Sequence, residues 1–212
     1  GVELAVLPEY AGMEAALAGG TVAETNDEGC LLAAETAVDY AAICRELAIR
    51  HGLYLLAGSM PEMTDGGLVN RARLYTPEGA QGFQDKQILT PWERENTPMV
   101  SGAPLSAFET DLGRIGALIC YDCEFPVLAS ALAADVLLVP SCTEAHAGMS
   151  RVQIGSRARA LEGQSYVAHA PLVGAVEHCE LVDNNTGQAG IYGPPDTGFP
   201  EDGVVAAGKS DS

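Results

Sequence analysis

The chain has 212 residues, of which 47% are hydrophobic and 19% charged, and its formal net charge is −18. This length and composition are typical of a globular protein and predict one domain over residues 1–212. The negative charge argues against nucleic acid or an anionic membrane as a partner, and no apolar run reaches the ~20 residues that cross a bilayer. Since no secretory signal opens the sequence, we expect a cytoplasmic protein.

Six cysteines without regular spacing favour reduced thiols over a disulfide framework. Cys120 and Cys123 match the CxxC pattern, but a structural zinc site needs a second such pair. No glycine-rich phosphate loop or cluster of metal-ligand residues occurs. The sequence therefore predicts neither a metal nor an organic cofactor.

The first part of the chain predicts a strand, a helix and a second strand. Residues 2–7 form a short apolar run that stops at Pro8-Glu9. Residues 35–51 repeat small apolar side chains at helical spacing up to the stop signal Gly52. Residues 53–57 then predict a buried strand.

Two predicted hairpins follow, and each ends at a reactive side chain. One leads to Lys86 and the other to Cys120, with Pro or Gly in the turns. Because strands and helices are interspersed, we predict an α/β layered domain with partly antiparallel sheets. The predicted elements are strands over 68–75, 82–89, 105–109, 114–119, 136–139 and 166–173, helices over 126–134 and 149–162, and a turn-rich tail from residue 184.

Cys120 is the strongest nucleophile candidate because it lies between a strand and a helix start, where backbone N–H groups stabilise a thiolate or an oxyanion. Such a thiol needs a base. Glu9 qualifies, since a carboxyl at a strand end in a dry cleft has a raised pKa. Among the histidines, His178 and the strand residue His169 are better explained as structural or surface residues, and His146 is predicted in a loop near the pocket.

Four stretches resemble the nitrilase superfamily, also called the carbon-nitrogen hydrolases. They are residues 4–10 (LAVLPEY), 83–89 (FQDKQIL), 116–126 (GALICYDCEFP) and 158–167 (ARALEGQSYV). The resemblance implies a four-layer αββα sandwich. Family members usually have one more strand and helix before the glutamate segment and continue past residue 212. The chain is therefore expected to be shortened at both ends, with unpaired sheet edges.

The resemblance also implies roles for individual residues. Cys120 would attack an amide or nitrile carbon, Glu9 would act as the base, and Lys86 would stabilise the oxyanion together with the backbone N–H of Tyr121. A second glutamate often joins such a site, and we prefer Glu93 over Glu95 for that position.

Other residues are candidates for the pocket walls. Trp92 lies beside Glu93, and Cys142, Thr143 and His146 follow the strand predicted over 136–139. Each has an ordinary alternative, namely core packing for the tryptophan and a loop position for the other three. Charged residues 157, 159 and 162 are expected to form ion pairs or a subunit contact.

The resemblance favours hydrolysis of a small amide by a homodimer or larger homo-oligomer without a cofactor. A nitrilase and an N-carbamoyl amidase of the same superfamily are alternatives. A hydrolase that pairs its cysteine with His146 or His169 is a second enzyme hypothesis. A catalytically silent scaffold or interaction protein is the hypothesis from another class.

Overall fold

Two β-sheets form the middle of the fold in the computed structural model, which describes residues 1–18, 20–176 and 179–209. His178 lies outside the described residues. In the first sheet the strands follow the order β1-β2-β3-β4, with β1 parallel to β2 and the other pairs antiparallel. The strands are β1 (Leu4–Val6), β2 (Tyr54–Thr64), β3 (Gly67–Tyr75) and β4 (Gln81–Asp85).

The second sheet has six strands in the order β12-β11-β8-β7-β6-β5. Its centre is parallel, because β6, β7 and β8 are joined by helical crossovers, whereas the outer strands pair antiparallel. The strands are β5 (Phe108–Thr110), β6 (Gly113–Ala117), β7 (Val136–Ser141), β8 (Tyr166–Pro171), β11 (Gly190–Tyr192) and β12 (Val204–Ala207), while β9 (Gly174–Ala175) and β10 (Asn184–Asn185) form a separate small pair.

Helices cover the outer faces of both sheets. The first two pack on β2, whereas the fifth packs on β8 and the fourth packs against the fifth. This arrangement confirms the predicted α/β class and the αββα sandwich. The helices are α1 (Ala11–Leu17), α2 (Asn26–His51), α3 (Pro91–Asn96), α4 (Pro126–Leu132) and α5 (His146–Gly163).

Side-chain alternation along β2 explains the layering. Leu55 and Ala57 pack with Cys44 and Ala48 of α2, whereas Leu56 joins the core between the two sheets. A strand buried on both faces reads as a continuous apolar run, and residues 53–57 have that pattern. Truncation of a fully buried leucine such as Leu56 costs about 2–5 kcal/mol of stability.

The first long helix begins earlier than predicted, at Asn26. Thr25 caps it, since its side chain accepts a hydrogen bond from the Glu28 N–H at 3.2 Å. The prediction relied on apolar periodicity, which is weak in the first turns, and it overlooked this cap. Helix α1 was not predicted either, because its seven residues are too few for a periodic pattern.

Several strand and helix ends also differ from the prediction. Strand β2 continues to Thr64 through a register shift near Gly58, which has a left-handed backbone with φ of 63°. Strand β4 ends at Asp85, so Lys86 follows the strand instead of lying inside it. Helix α5 begins at His146, so the loop position predicted for that histidine is wrong.

The helices in the described part of the chain are all too short or too polar to cross a membrane.

Candidate active site

Glu9 lies just beyond the end of β1, where the chain is fastened to β2. The Pro8 carbonyl accepts a hydrogen bond from the Ser59 N–H at 3.2 Å, and Ser59 Oγ accepts one from the Tyr10 N–H at 3.3 Å. This contact requires a glycine at position 58, since a Cβ there would lie 2.1 Å from the Pro8 oxygen. The bulge in β2 therefore determines where the Glu9 carboxyl points.

Lys86 is held between the first sheet and the Glu9 carboxyl. Its backbone N–H donates to the Asn70 carbonyl on β3 at 2.9 Å. The Asn70 side chain donates to Glu9 Oε1 at 3.0 Å, and Lys86 Nζ donates to the same oxygen at 2.9 Å. Asn70 thus aligns the lysine and the glutamate with each other.

Cys120 follows β6 and starts a short 3-10 turn, Cys120–Glu124. Its φ of 50° is in the left-handed region, which is unusual for a residue with a side chain and marks local backbone strain. The thiol donates to the Cys142 carbonyl at a distance of 3.6 Å. The Cys142 N–H donates to Glu9 Oε2 at 2.8 Å, so one backbone segment contacts both the thiol and the carboxyl.

Asp122, in the same 3-10 turn, connects the cysteine segment with the lysine segment. Its carboxylate accepts hydrogen bonds from the backbone N–H of Gln87 at 3.1 Å and of Ile88 at 2.8 Å. Burial raises the pKa of Asp122 to about 6, although these hydrogen bonds oppose the shift. Asp122 therefore ties together two segments that come from different sheets.

Glu93 is the second carboxylate on the lysine, as preferred from the sequence, whereas Glu95 is exposed. It forms a capping box with Thr90 at the start of α3, with the Thr90 N–H donating to Glu93 Oε2 at 2.7 Å. Its other oxygen accepts hydrogen bonds from Lys86 Nζ at 2.7 Å and from the Tyr10 hydroxyl at 2.6 Å. The cap thus fixes this carboxylate against the ammonium.

The two carboxylates on Lys86 have opposite pKa shifts. Burial raises the pKa of Glu9, and the opposing effect of Lys86 does not cancel that shift. Burial acts in the same direction on Glu93, but Lys86 and the hydrogen bond from Tyr10 outweigh it and lower the pKa of Glu93. Environments that separate two pKa values in this way are typical of acid–base sites.

Lys86 remains an ammonium in this environment. Burial alone lowers its pKa, but the charges of Glu9 and Glu93 outweigh burial and hold the pKa well above the usual value. An ammonium has three N–H donors, and described residues accept two of them. The third donor is available to a ligand.

The Cys120 thiol is protonated at rest. Burial raises its pKa well above the usual value, and the Glu9 carboxylate adds to the shift while Lys86 opposes it. The thiol also lies close enough to Glu9 to lower the pKa of that carboxyl. A thiol in this state needs a base at the moment of attack, and Glu9 is next to it.

These side chains surround a cavity of about 140 Å³. Trp92 lines it and is 39% exposed, so it belongs to the wall and not to the core. Cys142 lines the cavity as well. The lining residues are Glu9, Tyr10, Lys86, Thr90, Trp92, Glu93, Cys120, Cys142, Glu144, Glu180, Leu181, Asp183 and Asn184.

Two predicted wall residues are absent from this lining among the described residues. Thr143 donates from its hydroxyl to the Thr186 carbonyl at 2.9 Å, and His146 borders a neighbouring cavity. His169 is not among the lining residues either, being buried with its ring 2.8 Å from Ser141 Oγ. Burial lowers the pKa of His169 to about 4.

The three charged residues expected to form ion pairs or a subunit contact, at positions 157, 159 and 162, have partners within the chain. Arg159 is buried and contacts Glu162 at 3.0 Å, and Arg157 donates to the Asp202 carbonyl at 2.8 Å. Within the described part of the chain, no cluster of His, Cys, Asp or Glu has the arrangement of a metal site.

The sequence did not point to Tyr10, Asn70 or Asp122. Tyr10 directly follows Glu9, Asp122 follows Cys120 by two positions, and Asn70 interrupts the apolar run of β3. A buried polar residue within an apolar strand needs hydrogen-bond partners, and that signal was available for Asn70.

Comparisons with known proteins give the family to which this fold and cavity belong. The family model for carbon-nitrogen hydrolases matches residues 1–210. A probable hydrolase of Bacillus subtilis, YhcX, is 36% identical over 79% of this chain and 33% of its own length. The omega-amidase NIT2 of Xenopus tropicalis is 32% identical over 59% of this chain and 49% of its own length. The chain belongs to the carbon-nitrogen hydrolase family.

Solved structures share the fold. A carbon-nitrogen hydrolase from Helicobacter pylori has a TM-score of 0.77 at 18% identity, covering 99% of this chain and 74% of that one. An amidase from Nesterenkonia, with acrylamide added to its active-site cysteine, has a TM-score of 0.73 at 21% identity, covering 99% and 76%. The chain spans about a third to a half of the length of the curated relatives that it matches.

Proposed function

We propose that this chain hydrolyses the carbon–nitrogen bond of a small amide and that Cys120 is its nucleophile. One observation carries the proposal: a buried thiol, carboxyl and ammonium, those of Cys120, Glu9 and Lys86, converge on one cavity. Burying three reactive groups together costs stability and is typical of a functional site. The amidases and omega-amidases among the related proteins support an amide as the substrate.

In the first half of the reaction, Glu9 takes the thiol proton as the Cys120 sulfur attacks the carbonyl carbon. The carbonyl oxygen becomes an oxyanion beside Lys86 Nζ and the backbone N–H of Tyr121. Fixed donors aimed at such a charge lower the barrier by about 3–4 kcal/mol each. The carbon–nitrogen bond then breaks, Glu9 gives its proton to the leaving nitrogen, and a thioester remains on Cys120.

In the second half, water attacks the thioester and gives a proton to Glu9. The carbon–sulfur bond breaks, the carboxylic acid leaves, and the proton returns to Cys120. Glu9 thus acts as base and then acid in each half of the reaction, which suits its raised pKa. Glu93 keeps its charge throughout and holds the Lys86 ammonium in position.

Ammonia release from small aliphatic amides, N-carbamoyl compounds and nitriles tests the proposal. We expect Cys120→Ala to reduce the rate at least about a thousandfold, because no other group replaces the nucleophile. Cys44→Ala is the matched control, since Cys44 is buried between α2 and β2, outside the cavity. Equal activity in the Cys120→Ala variant, or no turnover of any compound by the wild type, would overturn the proposal.

The same panel separates the alternatives. A preference for nitriles or N-carbamoyl compounds would select those branches of the family. A cysteine-histidine pair predicts that His169→Ala abolishes activity, whereas our proposal predicts that activity survives. A silent scaffold predicts no turnover and a Cys120 thiol no more reactive toward alkylation than Cys30.

Three further expectations from the sequence stay predictions. They are a single domain over residues 1–212, assembly into a homodimer or larger homo-oligomer, and a cytoplasmic location.

A further inference from the structure

The cavity beside Cys120 has an uneven charge distribution. Five of its lining residues are acidic, and Lys86 is the one lysine or arginine among them. The positive charge of Lys86 is offset by two carboxylates, because Glu9 and Glu93 both contact its ammonium. The positive charge is therefore neutralised at the reaction centre and does not reach the outer wall.

Three lining carboxylates form what we call the outer wall, because Glu144 and Glu180 are exposed and Asp183 is half-buried, whereas the groups at the reaction centre are buried. Within residues 1–18, 20–176 and 179–209, no arginine or lysine side chain lies within 4.0 Å of any of them. Glu180 is oriented by Asn26, whose Nδ2 donates to its carboxylate at 3.0 Å. An amide donor leaves the charge of Glu180 intact, so the wall remains negative.

The remaining wall suits the carbon chain of a substrate. Trp92 and Leu181 line the same cavity as the three carboxylates. Aromatic rings attract alkylammonium groups through their π-face, and nearby carboxylates strengthen that attraction. The wall thus combines apolar surface with uncompensated negative charge.

We infer that the substrate is an amide whose far end carries a positive charge, such as an ω-amino amide. This inference rests on the proposed function, because the amide must reach Cys120 while the ammonium contacts Glu144, Glu180 or Asp183. An amide that ends in a carboxylate meets repulsion at the same wall. The negative net charge of the whole chain, −18, extends that preference to the approach of the substrate.

Calorimetric titration of the Cys120→Ala variant tests the inference without turnover. The ligands are γ-aminobutyramide, butyramide and succinamate, which have similar length but a positive, neutral or negative far end. We expect the cationic amide to bind about tenfold more tightly than the neutral one and the anionic amide to bind most weakly. Added salt should shrink the difference, because exposed charges are screened.

Isosteric variants test which carboxylates cause the preference for a cationic amide. In the Cys120→Ala background, Glu144→Gln, Glu180→Gln and Asp183→Asn should each weaken binding of γ-aminobutyramide about threefold and leave butyramide unchanged. Glu78→Gln is the control, since it removes one exposed negative charge in the turn between β3 and β4, outside the cavity lining.

The outcomes separate the inference from the proposed function. Equal or tighter binding of succinamate, or no binding of γ-aminobutyramide, overturns the inference. If the wild type hydrolyses butyramide but not γ-aminobutyramide, the proposed function stands and the inference fails. If the cationic amide binds selectively but the wild type hydrolyses none of the three, the charge preference stands and amide hydrolysis fails.

Discussion

Two networks of charged side chains meet at the pair of strands β3 and β4, and they differ in how positive charges are matched by negative ones. The first also includes Glu62 of β2, and the second includes residues that follow β1 and β4. In the first network, Arg71 Nε and Nη2 donate to the two oxygens of Asp85 at 2.6 and 3.0 Å. Arg73 Nε donates to Glu62 Oε1 at 2.8 Å, and its Nη2 reaches the second oxygen. Each guanidinium therefore has one carboxylate in bidentate geometry. Arg71 Nη1 also lies 3.8 Å from Glu62 Oε2, so two guanidinium groups balance two carboxylates.

The second network begins at the next pair of positions, at Asn70, one residue before Arg71, and at Lys86, one residue after Asp85. Here two carboxylates, Glu9 and Glu93, share one ammonium, and all three charged groups are buried. Negative charge exceeds positive charge, so one carboxylate is held less firmly as an anion.

The comparison shows how a buried group of charges that is suited to proton transfer differs from one that only stabilises the fold. A matched bidentate pair has no reason to exchange protons. In the second network, burial raises the pKa of Glu9 next to a thiol, and the charge of the second carboxylate, Glu93, adds to that shift while Lys86 opposes it. Asp85, the last residue of β4, and Lys86, the residue after it, thus serve structure and proposed catalysis respectively.

Removal of the lysine should have the largest effect. Lys86→Met leaves two buried carboxylates without a cation, so we expect a loss of about 3–5 kcal/mol in unfolding free energy and at least a hundredfold, or about 3 kcal/mol, in kcat/KM. Urea unfolding and ammonia release measure the two quantities. Lys209→Met, at the exposed second lysine of the chain, should change neither. An active Lys86→Met enzyme would contradict the role of the unmatched network.

Neutralising one carboxylate in each network tests whether one network serves catalysis and the other serves stability. Glu9→Gln should lower kcat/KM by about a hundredfold or more, because an amide accepts no proton. It should cost little stability, since burial disfavours the ionised Glu9 that it replaces. Glu62→Gln should do the reverse, with about 2 kcal/mol lost from unfolding and kcat/KM retained. Equal activity losses in the two variants would show that the networks do not divide as we propose.

The dependence of wild-type kcat/KM on pH is a further test of the role proposed for Glu9. The thiol proton needs an ionised Glu9, so kcat/KM should fall as the pH is lowered. Because the pKa of Glu9 is raised, the midpoint should lie above the ordinary value of 4.5 for a glutamate. Initial rates over a range of pH measure it, and a midpoint below 4.5 would contradict the assignment.

The smallest expected effect concerns two tyrosine hydroxyls. Tyr10→Phe removes a 2.6 Å hydrogen bond to the charged Glu93, whereas Tyr40→Phe removes a 2.9 Å bond to the neutral Ala57 carbonyl. We expect kcat/KM to fall about threefold to tenfold for Tyr10→Phe and to stay unchanged for Tyr40→Phe, with about 1 kcal/mol of stability lost in the control. Identical kinetics in both variants would separate Tyr10 from the site.

The sequence was informative where one residue carries the signal. Glu9 and Cys120 each follow a predicted strand, Lys86 was predicted near the end of one, and all three line one cavity. Asn70 carried a sequence signal, a polar residue within an apolar strand, but its partners depend on which strands pair. Asp122 was out of reach because its importance depends on how the two sheets stack. The bulge at Gly58 was missed as well, since a register shift leaves no mark in the apolar pattern.

Strand ends and helix starts were less predictable than the elements themselves. The cap at Thr25 outweighed the weak periodicity of the first turns of α2, and His146 became helical although its sequence suggested a loop. Capping and tertiary packing decide the last one or two residues of an element, and so few residues are too short a stretch to show a periodic apolar pattern.

The link made by Asp122 has a consequence for folding. It joins the segment after β4, in the first sheet, to the segment after β6, in the second sheet. The thiol and the ammonium therefore meet only after the two sheets have packed against each other. The proposed activity would therefore report whether the two sheets have packed together. A partly folded chain with both sheets formed but not yet stacked would have every strand and would lack the arrangement of Cys120 and Lys86.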